Sequence, residues 1–209
     1  MSAVSLPNWF GIKLPNFAQD YFFRSSAWYE KGRFAEALED INRSVELDPL
    51  NAGAQEHRGN VLFALNRLDE ARRAYEQAVK LIPGNSSVWN NLGATLEALG
   101  NTDAALRAYR RATDCQPPSP SAFHGIAFIQ IRAGHLEDAT ATLDQLEKLQ
   151  RTPHAAALAA RSVIERRRGD TRQADALEQR ARQLDPAATA WAIERATKSP
   201  ADSTAQKRD

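Results

Sequence analysis

Ala37, Ala71, Ala105 and Ala139 stand 34 residues apart, and Ala174 follows after 35. The same ruler relates Ser25, Gly59, Gly93 and Ala127, with Ser162 one residue late, and Leu47, Leu81, Cys115 and Leu149, with Leu184 one residue late. Pro49, Pro83, Pro117 and Pro186 close four of the units. A period of this length means that the chain is built from like units, none of which can bury its apolar face alone, so each must stack on its neighbours.

Each unit reads as two helices. Stretches such as SVWNNLGATLEAL and DAALRAYRRATD are rich in Ala, Leu, Glu and Arg, with apolar residues three to four apart. Gly32, Asn66, Gly100, Gly134 and Gly169 fall between the two helices, where a left-handed residue ends the first. The small residues Gly59, Gly93 and Ala127 are expected to let the first helix approach the second against Ala71, Ala105 and Ala139. Trp89, Phe123, Tyr75 and Tyr109 are expected to fill the space between neighbouring pairs.

The stretch WNNLGATLEALGNTDAALRAYRRATDCQP resembles the tetratricopeptide repeat, with Trp89, Leu92, Gly93, Gly100, Ala105, Tyr109, Ala112 and Pro117 where that family places them. The resemblance implies an all-α, right-handed superhelical solenoid of tandem helix-turn-helix repeats. Five repeats are expected, over 18–51, 52–85, 86–119, 120–153 and 154–187. The first carries Arg24 and Ser25 in place of the family's Leu-Gly, and the fifth has Glu178 where the third has Tyr109. A last helix over 188–198, with Trp191 and Ile193, is expected to cap the open end, and 199–209 reads as a disordered tail. At the fourth junction Arg151 replaces the expected proline and Pro153 follows two residues late, which marks a candidate hinge.

Several function classes are disfavoured by composition. With 27 basic against 26 acidic residues the net charge is +1, so no global field draws in nucleic acid or an anionic membrane. One cysteine, Cys115, fits a reducing compartment, and its register with leucines predicts a buried apolar role. With no spanning run of apolar residues and no signal-like N-terminus, the expected location is cytoplasmic. Nucleophile-elbow, phosphate-loop, dinucleotide and zinc-helix motifs are lacking, and His57, His124, His135 and His154 are scattered. The chain therefore reads as a non-enzyme that needs no cofactor or metal.

In the resembled family the first helices line a concave surface that holds a peptide or partner helix. Carried onto this chain, that surface takes Phe22, Ser26 and Tyr29 from the first repeat, and Glu56, His57, Asn60 and Phe63 from the second. The third supplies Asn90, Asn91 and Glu97, the fourth His124, Phe128 and Ile131, and the fifth Arg166 and Arg167. The asparagines suit a ligand backbone, while Phe63, Phe128 and Ile131 offer apolar anchors. Co-chaperone members grip a C-terminal carboxylate with two lysines, an arginine and two asparagines. The matching positions here are Phe22, Ser26, His57, Ser87 and Asn91, which contain no cation, so that activity is not expected. Residues 151–185 hold eight arginines against five acids, and 20–48 seven acids against four bases. That asymmetry leaves self-association, head to tail, as a possibility beside a solvated face.

In front of the repeats, LPNWFGIKLPNF is broken by prolines and reads as extended, yet it carries Leu6, Trp9, Phe10, Leu14 and Phe17. It is expected to cap the first repeat, to dock in a groove, or, less favoured, to touch a membrane interface. The leading functional expectation is a protein-protein interaction scaffold or adaptor that binds a protein or peptide partner. The alternatives are a specialised chaperone for an amphipathic segment and an RNA-binding helical-repeat protein.

Overall fold

The computed structural model describes residues 17–150 and 154–198, which form eleven α-helices and no strand. They pair as five hairpins: α1 (Phe17–Glu30) with α2 (Phe34–Leu47), α3 (Ala52–Ala64) with α4 (Leu68–Leu81), α5 (Ser86–Ala98) with α6 (Thr102–Asp114), α7 (Pro120–Ala133) with α8 (Leu136–Gln150), and α9 (Ala155–Arg168) with α10 (Thr171–Leu184). A single helix, α11 (Pro186–Thr197), follows. The architecture is the expected helical solenoid closed by a C-terminal helix.

Local chemistry sets the punctuation. Asn51 Oδ1 accepts from the Ala54 N–H at 3.0 Å, and Asn85 Oδ1 accepts from Ser87 and Val88 at 3.0 and 3.2 Å, satisfying donors that a helix start leaves open. The left-handed column holds as expected at Gly32, Gly100, Gly134 and Gly169, and Asn66 adopts it too, with φ 57°.

Two tyrosines of the second helices pack closely on glycines of the first helices. A Cβ placed on Gly59 would lie 2.5 Å from the Tyr75 ring, and one on Gly93 or Gly125 would lie 2.6 Å from the Tyr109 ring. Tyr109 therefore sits between the first helices of two successive repeats. Beside the expected approach of the small and Ala columns, seen where Ser25 Oγ meets the Ala37 carbonyl at 2.7 Å, the glycines also lie against tyrosine faces.

The buried side chains form two clusters that meet at α7. Ala122, Ile126 and Ile129 belong to the larger one, which runs back through α2. Phe123, Ala127, Phe128 and Ile131 belong to the second, with α8, α9 and α11. Where the fourth hairpin meets the fifth, α8 touches α9 far less than α2, α4 and α6 touch their successors, and α11 bridges α7 and α9. The candidate hinge residues Arg151 and Pro153 lie outside the described residues.

Two expectations need correction here. Phe17 belongs to α1 rather than to an extended segment, because the last proline lies two residues before it. The Cys115 column is not buried: Leu47, Leu149 and Leu184 are exposed and Cys115 is half-buried. Its members fall at the ends of the second helices, beyond the packed face.

Candidate peptide-binding groove

The first helices present three columns in the repeat register. Phe22, Glu56, Asn90 and His124 form one, Ser26, Asn60, Ala94 and Phe128 the next, and Tyr29, Phe63, Glu97 and Ile131 the third. On each helix the three members are four and then three residues apart, which puts them on one face. Along the solenoid this face changes character at α5.

From α1 to the first turns of α5 the face is open. Phe22, Tyr29, Glu56, His57, Asn60, Asn90 and Asn91 are partly exposed and Phe63 is exposed. The His57 ring meets Phe22 edge-on at 5.5 Å and Tyr29 at 5.6 Å. Its Nε2 lies 3.0 Å from Ser25 Oγ, which itself donates to the Ala37 carbonyl at 2.7 Å. The serine proton is thus spent, so His57 donates from Nε2 and is held in that tautomer. Burial lowers its pKa, which favours the neutral ring. The unusual Ser25 of the first repeat is therefore a structural pivot, and Arg24 beside it makes a two-pronged bond to the buried Asp40 carboxylate at 2.6 and 2.5 Å.

A row of amides crosses from α3 to α5. Asn60 Oδ1 accepts from the Tyr75 hydroxyl at 2.7 Å and from Asn91 Nδ2 at 3.3 Å, and Asn91 Oδ1 accepts from Asn90 Nδ2 at 3.4 Å. The row leaves the Asn60 amide donors and the Asn90 carbonyl without protein partners among the described residues. Glu56, one turn before Asn60, is half-buried with no hydrogen bond or ion pair among the described residues. Burial pushes its carboxyl up from the ordinary range.

From the end of α5 onward the face is filled by α11, and three of the expected groove residues are not available there. Glu97, Phe128 and Ile131 are buried, along with Ala159 and Val163 of α9. The Trp191 ring of α11 stands edge-on over Phe128 at 5.4 Å. Glu97 is held by three donors: the Tyr109 hydroxyl at 2.8 Å, Arg132 at 2.6 Å and Arg195 of α11 at 2.6 Å. Arg132 also donates to the Arg195 carbonyl at 2.6 Å. Beside this cluster His124 stacks on Phe128 at 6.0 Å, its Nε2 is buried without a partner, and desolvation pushes its pKa down to about 4.

Arg166 and Arg167 also depart from the expectation of free groove cations. Arg166 bonds Asp175 and Glu178 of α10 at 2.7 and 3.0 Å, and Arg167 donates to the Ile131 carbonyl at the end of α7. Arg168 completes the run with Glu165 at 2.9 Å. The three arginines are thus paired within the solenoid. At the other end, Leu6, Trp9, Phe10 and Leu14 lie outside the described residues, and Phe17 is exposed at the start of α1.

Sequence reading missed Arg132 and Arg195. A signal existed, since Glu97 is the one acid in a column otherwise made of Tyr29, Phe63 and Ile131, and a buried carboxylate requires a cation. Among the described residues no group of His, Cys, Asp and Glu converges to hold a metal, and no helix is long and apolar enough to cross a membrane.

Comparison with known proteins points one way. Models of the tetratricopeptide repeat match residues 26–86, 57–120 and 96–162. Among solved structures, MamA (residue 41 to the end) from Desulfovibrio magneticus RS-1 is 16% identical with a TM-score of 0.69, over 81% of this chain and 96% of that one. YrrB, described as a tetratricopeptide repeat protein with an unusual peptide-binding site, is 21% identical with a TM-score of 0.64, over 85% and 92%. The first repeat domain of Spaghetti (RPAP3), bound to the HSP90 peptide SRMEEVD, is 21% identical with a TM-score of 0.52, over 54% and 90%. No curated protein matches the chain in sequence.

Proposed function

This chain belongs to the tetratricopeptide repeat family, and from that premise we propose that it is a non-enzymatic scaffold that holds a peptide segment of a protein partner on the open half of its concave face. The reading is carried by one observation, the half-buried Glu56 with no cation beside it among the described residues, next to the unspent groups of Asn60 and Asn90. An unpaired carboxylate in a partly desolvated site favours a ligand that brings its own charge. The amides would take one donor and one acceptor of the ligand backbone. Phe22, Tyr29 and Phe63 would then pack the apolar stem of a lysine or arginine, or an adjacent apolar side chain.

The ligand class differs from that of the RPAP3 domain, whose peptide SRMEEVD is acidic at its C-terminal end. No lysine or arginine stands among Phe22, Ser26, His57, Ser87 and Asn91 to receive a carboxylate. The test is a titration of the full chain with two labelled 12-residue peptides of matched apolar content, one carrying Lys and Arg at alternate positions and the other Asp and Glu. The basic peptide should bind and weaken with salt, and Glu56→Lys should abolish that binding while leaving the helical spectrum unchanged. Preference for the acidic peptide, or indifference to Glu56→Lys, would overturn the reading.

A further inference from the structure

The filled half of the concave face carries a second inference. α11 is unlike the other helices, because it belongs to no hairpin and lies mainly on α9, with lesser contacts to α7 and α10. Its fully buried residues are small: Thr189, Ala192 and Ala196. Its one large aromatic, Trp191, remains 49% exposed. A 12-residue helix is marginal by itself, so it persists by what it touches, and beyond its small buried residues it offers only the partly buried Ile193 and the half-exposed Trp191.

The floor beneath it has the opposite character. Phe128 and Ile131 are completely buried and large, and Phe128 lies directly under the Trp191 ring of α11. The polar part of the floor depends less on α11, although Arg132 gives up its bond to the Arg195 carbonyl when the helix leaves. Without Arg195, Glu97 still accepts from Arg132 and from Tyr109, so no charge is stranded when α11 leaves. Arg195 is also an imperfect fit: it reaches Glu97 through one terminal nitrogen, while its Nε is buried without a partner. A two-pronged arginine would bind this carboxylate better. The tether is short, since Asp185 alone separates α10 from α11 and caps both.

We propose that the pocket formed by α5, α7 and α9 is a receptor for an amphipathic helix of a protein partner, one that sets an aromatic ring on Phe128 and, one turn later, an arginine on Glu97, and that α11 is its tethered and replaceable occupant. Trp191 and Arg195, four residues apart, are the resident copy of that pattern. The pocket lies on the other half of the face from Glu56, so the inference stands whether or not the open half binds a basic segment.

The probe is a labelled 14-residue peptide of the chain's own sequence 185–198, DPAATAWAIERATK, titrated against the full chain. Ala192→Pro breaks α11 without altering the floor, and Arg195→Ala removes only its anchor. Both variants should stay folded through α10 by circular dichroism, and relative to the parent chain Ala192→Pro should bind the peptide at least about tenfold, and Arg195→Ala about fivefold, more tightly. A peptide carrying Arg195→Ala should lose about that factor. In the parent chain, saturating peptide should speed hydrogen exchange in 186–197 and leave α9 unchanged. If folded Ala192→Pro gains no affinity, or if the Arg195→Ala peptide binds as well as the original, the receptor reading fails. If the parent chain forms a dimer that the free peptide dissolves, the occupant is a second copy of the chain, and the tethered-resident reading fails. Should Ala192→Pro aggregate, Arg195→Ala decides the question alone.

Discussion

Removing the two ends of the Glu97–Arg195 bond should have very unequal effects. The Glu97 side chain is 2% exposed and receives three donors, of which Arg132 is itself 16% exposed and Tyr109 is buried. Glu97→Ala leaves Arg132 with an uncompensated charge in a nearly dry site and the Tyr109 hydroxyl without an acceptor. Breaking a buried pair from one side costs about 3–5 kcal/mol. Arg195→Ala leaves Glu97 with two donors. It loses one charge-assisted bond, worth about 1.5–3 kcal/mol, and removes a buried orphan nitrogen that costs about 1 kcal/mol. The net is therefore about 1 kcal/mol. For a chain of this size 1 kcal/mol corresponds to about 2–4 °C in Tm. Glu97→Ala should then lower Tm by about 6–20 °C and Arg195→Ala by about 2–4 °C. Calorimetry and urea unfolding followed by helical circular dichroism read both, with hydrogen exchange in 186–197 reporting α11 separately. Equal losses in the two variants would refute the view that the floor is satisfied without α11, and a neutral Glu97→Ala would refute the burial of the network itself.

Gly125→Ala would place a methyl 2.6 Å from a Tyr109 ring whose hydroxyl is held on Glu97, so it should cost about 1–3 kcal/mol by overpacking; combination with Tyr109→Leu should be less than additive in urea unfolding. Stability should fall as pH drops from about 6.5 to about 4, because His57 and His124 have folded pKa values below the unfolded one and the unfolded chain takes up protons first. The His124 part of that loss is complete near pH 4 and is at most about 3 kcal/mol, and unfolding midpoints of the parent chain and His124→Phe across that range measure it. Glu56→Lys should leave the unfolding free energy within about 1 kcal/mol of the parent, since a half-buried residue with no partner among the described residues contributes little to folding.

The period made the hairpins legible, because each column answers to one structural demand. Small residues at Gly59 and Gly93 and left-handed residues from Gly32 to Gly169 follow from local rules. The inner face was legible as a set of positions, since the register alone puts Phe22, Glu56 and Asn90 in one line. Which of those positions stay open was not legible. Glu97, Phe128 and Ile131 look as available in the repeat as Asn60 and Phe63, and what buries them is a helix that stands outside the repeat. The Arg166–Arg168 run misled in the same way. Arg166 pairs with Asp175 and Glu178 and Arg168 with Glu165 on the same hairpin, while Arg167 reaches the Ile131 carbonyl and Arg168 also Glu137 of the preceding one, and a charge count over a segment does not reveal such pairing.

The columns nevertheless contain the reason for the division. In the middle column Ser26, Asn60 and Ala94 give way to Phe128, and a face that adds Phe128 and Ile131 to Ala159 and Val163 presents a contiguous apolar floor. Such a floor is costly to leave in water. The polar half has no such demand, because its amides and Glu56 are hydrated when empty. The second half thus requires a permanent cover and the first half does not, and a cover with small buried residues and one charged anchor supplies the protection while remaining exchangeable. A helix with larger buried side chains would hold more tightly and give up that exchange. On this view the small size of Ala192 and Ala196 matters as much as the charge of Arg195, and enlarging Ala196 to leucine should either disrupt docking or, if the floor accommodates it, slow exchange of α11 and weaken capture of the free peptide.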